Sequence, residues 1–364
     1  MNGCGPGRSD EMTVRITLAV LLLASPMLFG CTRDQWGQPV LFVVEVNGKW
    51  GFIDKTGTMV LNPQFDMAFA FSEGLAAVMI GDFGTDMFGY IDKTGKYAIN
   101  PRFVLAAPFS EGLAAVRMGD AETGKFGFVD KTGTIVADPQ FDFAASFSEG
   151  LAGVMIRGSG TREWGFIDKT GVIAIDPQFS DAFAFSEGLA AVATESQGSS
   201  GIGKYGYIDK TGTMAINPQF DSAEPFSEGL APVLVGDFMT GKWGYIDKTG
   251  AMAISPQFDH AEHFSQGLAL VRIGDKEGYI DKTGEQVIEP QFDEAWPFSE
   301  GLAAARIGDH CGFIDKTGAM VISIQFDEPF PDVVGFHEGL ARVRVGGKWG
   351  YIDMTGRYVW EPSS

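Results

Sequence analysis

An all-β fold made of tandem units is predicted by three features of the chain. The stretch WGFIDKTG at Trp50–Gly57 returns eight more times, with few changes, down to Trp349–Gly356. The motif aspartates, Asp54, Asp92, Asp130, Asp168, Asp209, Asp247, Asp281, Asp315 and Asp353, are 38, 38, 38, 41, 38, 34, 34 and 38 residues apart. A fixed period of this size marks a repeat architecture and outranks other signals. From residue 40 onward, Gly or Pro interrupts the chain about every ten residues, which leaves no room for a long helix.

The first thirty residues read differently. Met12 is a candidate start, Arg15 a positive n-region, and Ile16–Phe29 an apolar run broken by Pro26. The run is short for a bilayer span and reads as a signal-peptide core, so residues 1–30 are assigned as signal peptide. The sequence Leu28-Phe29-Gly30-Cys31 resembles the lipobox of bacterial lipoproteins. That resemblance implies cleavage before Cys31 and acylation of its thiol. Two or three acyl chains, at about 0.8 kcal/mol per buried CH₂, would hold a domain at a membrane where one would not. Thr32 after the cysteine implies, by the same resemblance, transfer to the outer membrane; secretion into the periplasm or medium is the alternative. Residues 31–39 form a tether, and residues 40–362 the repeat array.

Each unit is read in order from its motif. Trp50-Gly-Phe-Ile-Asp alternates as a half-buried strand does. Asp54-Lys-Thr-Gly57 reads as a type I turn whose Asp bonds the turn amides and whose Gly accepts φ > 0. The same structural role falls to Gly95, Gly133, Gly171, Gly212, Gly250, Gly284, Gly318 and Gly356. Type I followed by a left-handed Gly is a common three-residue hairpin loop. Met59-Val60-Leu61 is a second strand, stopped by Pro63, which cannot donate to a ladder. Gln64–Gly74 is a compact loop carrying Phe65 and Phe71. Leu75–Val78 is a third strand, so each unit is a three-stranded meander.

A unit of about 38 residues cannot bury enough apolar surface to fold alone. Its phenylalanines need a neighbour, and stability is then a sum of unit and interface terms. The unit read from Trp243, WGYIDKTGAMAISPQFDHAEHFSQGLALVR, resembles the bacterial WG (KWG) repeat. The resemblance covers roughly residues 40–362 and implies a β-rich tandem repeat with no known catalytic residues to carry over. Glu277 and Cys311 depart from its aromatic position, where Trp50, Phe88, Phe126, Trp164, Tyr205, Trp243 and Trp349 fit.

The array opens with a lone third strand, Val40–Val46, and ends at Pro362 lacking one. A closed ring would use the first strand to complete the last blade. Propellers typically have about four to eight blades of four strands, which nine three-stranded units fit poorly. The expectation is therefore an open, curved or superhelical array, with a closed propeller-like ring as the alternative. Length variation concentrates between the third strand and the next motif, as at Gly81–Met87, Arg157–Glu163 and Thr194–Lys204. Such insertions line one edge, often a binding edge.

The formal charge is −20, built from the motif itself, and no basic stripe exists for nucleic acid. With Cys31 lipidated, Cys311 reads as a buried inert thiol. His260 and His263 suggest a metal pair, but no other unit shares them, and they read as drift on a repeat surface. The Asp turns offer one carboxylate each, against the six to eight oxygens calcium takes. Ser72-Glu73-Gly74 recurs throughout, whereas nucleophilic chemistry needs one special serine with a positioned base. No catalytic, cofactor or metal residue is assigned. The expected function is a non-enzymatic, lipid-anchored scaffold for a protein partner at the bacterial cell envelope. The alternative is glycan or peptidoglycan binding on exposed Trp50, Trp164 and Trp243.

Overall fold

The computed structural model describes residues 40–81, 87–120, 122–158, 162–195, 202–237, 239–327 and 335–362. Cys31, the signal segment 1–30 and the tether 31–39 lie outside them. The described residues form nine antiparallel sheets, seven of four strands and two of three. Blade 1 comprises Phe42–Val46, Lys49–Ile53 and Met59–Phe65. Blade 2 comprises Met67–Ala68, Leu75–Ile80, Met87–Asp92 and Tyr97–Phe103. The pattern continues to blade 9, with Leu340–Val345, Lys348–Asp353 and Tyr358–Trp360. Together they make a closed nine-bladed β-propeller, and the expected open array is corrected.

Two local readings fail for one reason. Pro63 does not stop the second strand, which runs Met59–Phe65. Trp50 pairs with Phe65 and Phe52 with Leu61, so one strand advances four residues while its partner advances two. The surplus bulges, and Pro63 sits in the bulge, where no ladder donor is needed. Beyond it the chain bends at Asp66 and pairs Met67 with Met79 and Ala68 with Val78 in the next sheet. The segment read as a loop thus supplies a fourth strand, and one bent strand hands the chain from blade to blade.

The bulge also explains the glycine that follows the motif aromatic. A Cβ added at Gly165 would lie 2.5 Å from the Ile175 carbonyl oxygen and 2.7 Å from the Pro177 nitrogen. The bulged backbone lies directly over the glycine, and Gly51, Gly89, Gly127, Gly206 and Gly244 face the same constraint.

The hairpin turn is closed by Gly57 N–H donating to the Asp54 carbonyl at 3.0 Å and Asp54 N–H donating to the Thr58 carbonyl at 2.9 Å. Asp54 Oδ1 accepts three hydrogen bonds, from Thr56 N–H, Thr56 Oγ1–H and Thr58 N–H. The nine turn glycines have φ between 81° and 87°. Hydrogen bonds, first from the threonine hydroxyl and then from turn amides, hold all nine carboxyls below the ordinary aspartate range. An unfolded Asp titrates near about 3.9. The stabilisation is therefore complete above that pH and is lost as pH falls through the lower folded values. Thr170→Val is expected to lower the melting temperature at pH 7 and to lower it less at pH 2.5, below the pH at which an unfolded aspartate titrates. Equal losses at both pH values would contradict this account of the turn.

Blades meet through a repeated aromatic pair. The middle-strand ring of one blade packs on the phenylalanine that precedes Ser-Glu-Gly in the next. Examples are Phe52–Phe71, Tyr90–Phe109, Phe166–Phe185 and Tyr279–Phe298, with centroids 4.7–5.0 Å apart. The seam between blades 9 and 1 repeats it with Tyr351 and Phe42, 5.5 Å apart. Tyr351 Oη–H donates to the Val43 carbonyl at 2.8 Å, and Val40, Phe42, Val44 and Val359 share one apolar cluster. Arg342 lies between Trp349 and Trp50, 4.3 and 5.4 Å from their ring centroids. Phe42–Val46 pairs with its own blade rather than completing the last one. The ring closes face to face, not by strand exchange.

A second inter-blade tie uses an uncommon backbone. Glu73 and Gly74 have φ of 51° and 89°, a two-residue type I′ hairpin loop. Glutamate is disfavoured in the left-handed region, yet seven blades place Glu there and one places Gln266. The compensation lies in the next blade. Glu73 Oε2 accepts the Gly112 amide at 2.9 Å and pairs with Lys131 Nζ at 3.1 Å. Glu338 of blade 9 pairs in the same way with Lys55 of blade 1, at 2.9 Å.

Candidate functional site

Repeated residues in this ring are used by the fold. Each Ser-Glu-Gly serine donates across a blade seam, as Ser72 Oγ–H does to the Phe109 carbonyl at 2.6 Å. One oxygen of each turn carboxylate is taken up by its own turn. Residues able to bind something else are those that break the pattern, and the structure brings several of them together.

The positions concerned are those of Met67 and Phe69 on the bent strand, and that of the motif aromatic. In blades 2 to 4 they carry Met67, Phe69, Phe88, Leu105, Ala107, Phe126, Phe143, Ala145 and Trp164. In blades 5 to 8 they carry Asp181, Phe183, Tyr205, Ser222, Glu224, Trp243, His260, Glu262, Glu277, Glu294, Trp296 and Cys311. One arc of the ring is therefore apolar, and the other holds acids, a histidine and aromatic rings. The bent strand of blade 7 is also longer than its counterparts, spanning His260–Ser265.

A cleft of about 960 Å³ opens in this polar arc, lined among others by His260, Glu262, Arg272, Glu277, Glu294 and Trp296. His260 Nε2 and Glu262 Oε1 are 3.0 Å apart, and Trp243 meets the His260 ring edge-on. This contact raises the His260 pKa and lowers that of Glu262. Glu277 occupies the motif aromatic position and is 8% exposed. Its Oε2 accepts the Ala295 amide at 2.6 Å, and burial pushes its pKa up. Glu224 stands within electrostatic reach of Glu262, His260 and Asp181; burial first, then the Glu262 charge, raises its pKa to about 7. Tyr205 Oη–H donates to Asp181 Oδ2 at 2.6 Å.

The histidine pair does not form a metal centre. His260 and His263 both approach the same carboxylate, Glu262, the latter at 3.8 Å. Among the described residues, no three His, Cys, Asp or Glu side chains gather at ligating distance. Cys311 is buried in an apolar cluster with Phe313 and Phe326. The motif tryptophans Trp50, Trp164 and Trp243 are half-buried against the core, while Phe88, Phe126 and Tyr205 at the same position are buried. At the motif position the rings are thus buried or half-buried against the blade cores. Glu224, Glu262 and Asp181 escaped the sequence reading; their signal was departure from the unit's own consensus.

Among solved structures, the chain is similar to a eukaryotic initiation factor, at 14% identity and TM-score 0.60, covering 90% of this chain and 97% of that one. It also resembles a prolyl endopeptidase, at 10% identity and TM-score 0.45, covering 73% of this chain and 50% of that one. A third is the dihydro-heme d1 dehydrogenase NirN, at 15% identity and TM-score 0.48, covering 81% and 74%. At 14% identity the first likeness speaks for fold alone. No curated protein matches the sequence. The WG-containing repeat matches eight times, over residues 50–82, 88–120, 126–158, 164–195, 205–237, 243–276, 278–310 and 312–349. Those matches span most of the sequence, and the chain belongs to the family of WG-containing repeats.

Proposed function

We propose that this propeller is a non-enzymatic scaffold that holds a protein partner at the bacterial cell envelope, anchored by lipid on Cys31. The observation that carries the reading is the use of the repeated polar residues. The serine, glutamate, lysine and aspartate that recur through the units are spent on seams and turns, so the repeats build a platform rather than nine reaction centres. The lipobox-like sequence before Cys31 supports the anchor, and the long acidic surface supports recognition by charge. Two measurements test the proposal. Palmitate should label the full chain and fail to label Cys31→Ser. Capture from detergent-solubilised envelope should yield a protein whose binding is reconstituted from purified components. A chain that reconstitutes no complex but turns over a substrate would overturn the scaffold reading.

A further inference from the structure

The cleft of blades 6 to 8 has an unbalanced charge. Most of its carboxylates have cationic partners: Asp259 with Lys242, Asp293 with Lys276, Glu294 with Arg306 and Glu262 with His260. Glu277 is different. It is more than nine-tenths buried and lines the cleft; Arg272, opposite it on the neighbouring strand, and His260 act on it electrostatically, but among the described residues no cation lies within ion-pair distance. One of its oxygens takes the Ala295 amide, and among the described residues the other accepts no hydrogen bond. A buried carboxylate is costly to ionise without a positive partner. Every other unit with a motif residue at this site has an aromatic or Cys311 there, so packing does not require an acid.

The walls indicate what partner would fit. Trp296 lines the cleft, and an indole ring attracts organic cations. Leu234, Leu270 and Pro297 give an apolar flank for an alkyl stem. A bare divalent ion would need more converging oxygens than the cleft brings together. We propose that this cleft binds an alkylammonium or guanidinium group, supplied by a lysine or arginine side chain of the protein partner, with Glu277 and Glu262 as its counter-charges. The proposal rests on the scaffold reading for the source of the cation, and on the cleft geometry for its chemistry.

Charge around the site also sets a pH dependence. His260 interacts with Glu262, Arg272 and Glu277, Glu224 with Glu262, His260 and Asp181, and Glu277 with Arg272, His260 and Glu294. Between pH 6 and 8, Glu224 gains its negative charge as it passes its pKa of about 7. Cation binding should tighten across that window.

Isothermal titration of the full chain tests this with four probes: a capped alternating lysine–alanine peptide, the same peptide with acetylated lysines, spermidine, and calcium chloride. Expected are binding of the lysine peptide, loss on acetylation, and tightening from pH 6 to 8. Glu277→Gln should weaken binding by about tenfold or more. Its amide oxygen still accepts the Ala295 N–H, so its melting temperature should stay level or rise. The pair Asp138→Asn and Asp176→Asn, which removes exposed acids from other blades, should leave affinity unchanged. Equal weakening by both sets would show general attraction to the acidic surface and overturn the site, as would calcium binding alone. Spermidine binding with the peptide excluded would overturn the protein source. A reconstituted partner that binds wild type and Glu277→Gln equally overturns the cleft while leaving the scaffold reading intact.

Discussion

A chain beginning at Lys49 should lose most of the stability of one beginning at Val40. The nine residues removed carry Leu41, Phe42, Val43 and Val44, all at most 8% exposed. Burying side chains of this kind is worth about 1.5–3 kcal/mol each, so the four contribute roughly 6–12 kcal/mol before entropy is set against them. Whole domains are stable by about 5–15 kcal/mol. Phe42 also meets the Tyr351 ring at the seam, and the Val43 carbonyl accepts a hydrogen bond from that tyrosine's hydroxyl. Its loss exposes blade 9 as well as thinning blade 1. In an open array the same cut would only fray one terminal unit, because each unit answers to its nearest neighbours. Thermal melting of the two chains separates these cases. A shift of a degree or two, with an unchanged transition, would mean the ring is not held shut at this seam.

How much of this was legible in the sequence depends on the length scale of each cause. The motif strand, the Asp-Lys-Thr-Gly turn and the repeat period are local, and residues such as Asp54 and Gly57 carry their conformation in their own chemistry. Pro63 shows where a correct local rule misleads. Proline does lack the ladder donor, but a bulge removes the need for one, and the bulge is visible only once Trp50 is known to pair with Phe65. Closure is less local still. It arises from a small rotation accumulated over nine units, which no single residue encodes. Only the lone strand Val40–Val46 hinted at it, and that strand was assigned the wrong kind of closure. The polar cleft is non-local for another reason. Glu224, Glu262 and Glu277 belong to different units and look like scattered substitutions until the blades are set side by side. Glu277 alone stood out, because it replaces an aromatic ring.

Substituting Gly165 by alanine should cost about 2–4 kcal/mol, at the upper end for one added methyl in a packed interior. The new Cβ would sit 2.5 Å from the Ile175 carbonyl oxygen and 2.7 Å from the Pro177 nitrogen. Both are backbone atoms, so relief requires moving the bulge rather than turning a side chain. Moving it would disturb the register that lets Phe179 pair with Trp164 and lets the chain bend into blade 5. A matched control lies on the adjacent strand. Gly153 has an ordinary backbone, and its nearest side-chain atom, on Phe166, would be 3.7 Å from an added Cβ. Ala77, Ala115 and Ala191 occupy the same place in other units. Gly153→Ala should therefore be neutral or stabilise by up to about 1 kcal/mol, through lower entropy of the unfolded chain. Chemical denaturation of the two variants gives the comparison directly. If Gly165→Ala proves as mild as Gly153→Ala, the motif glycine is not there to clear the bulge. The ring's four-stranded blades would then owe their bent hand-over strand to some other residue of the unit.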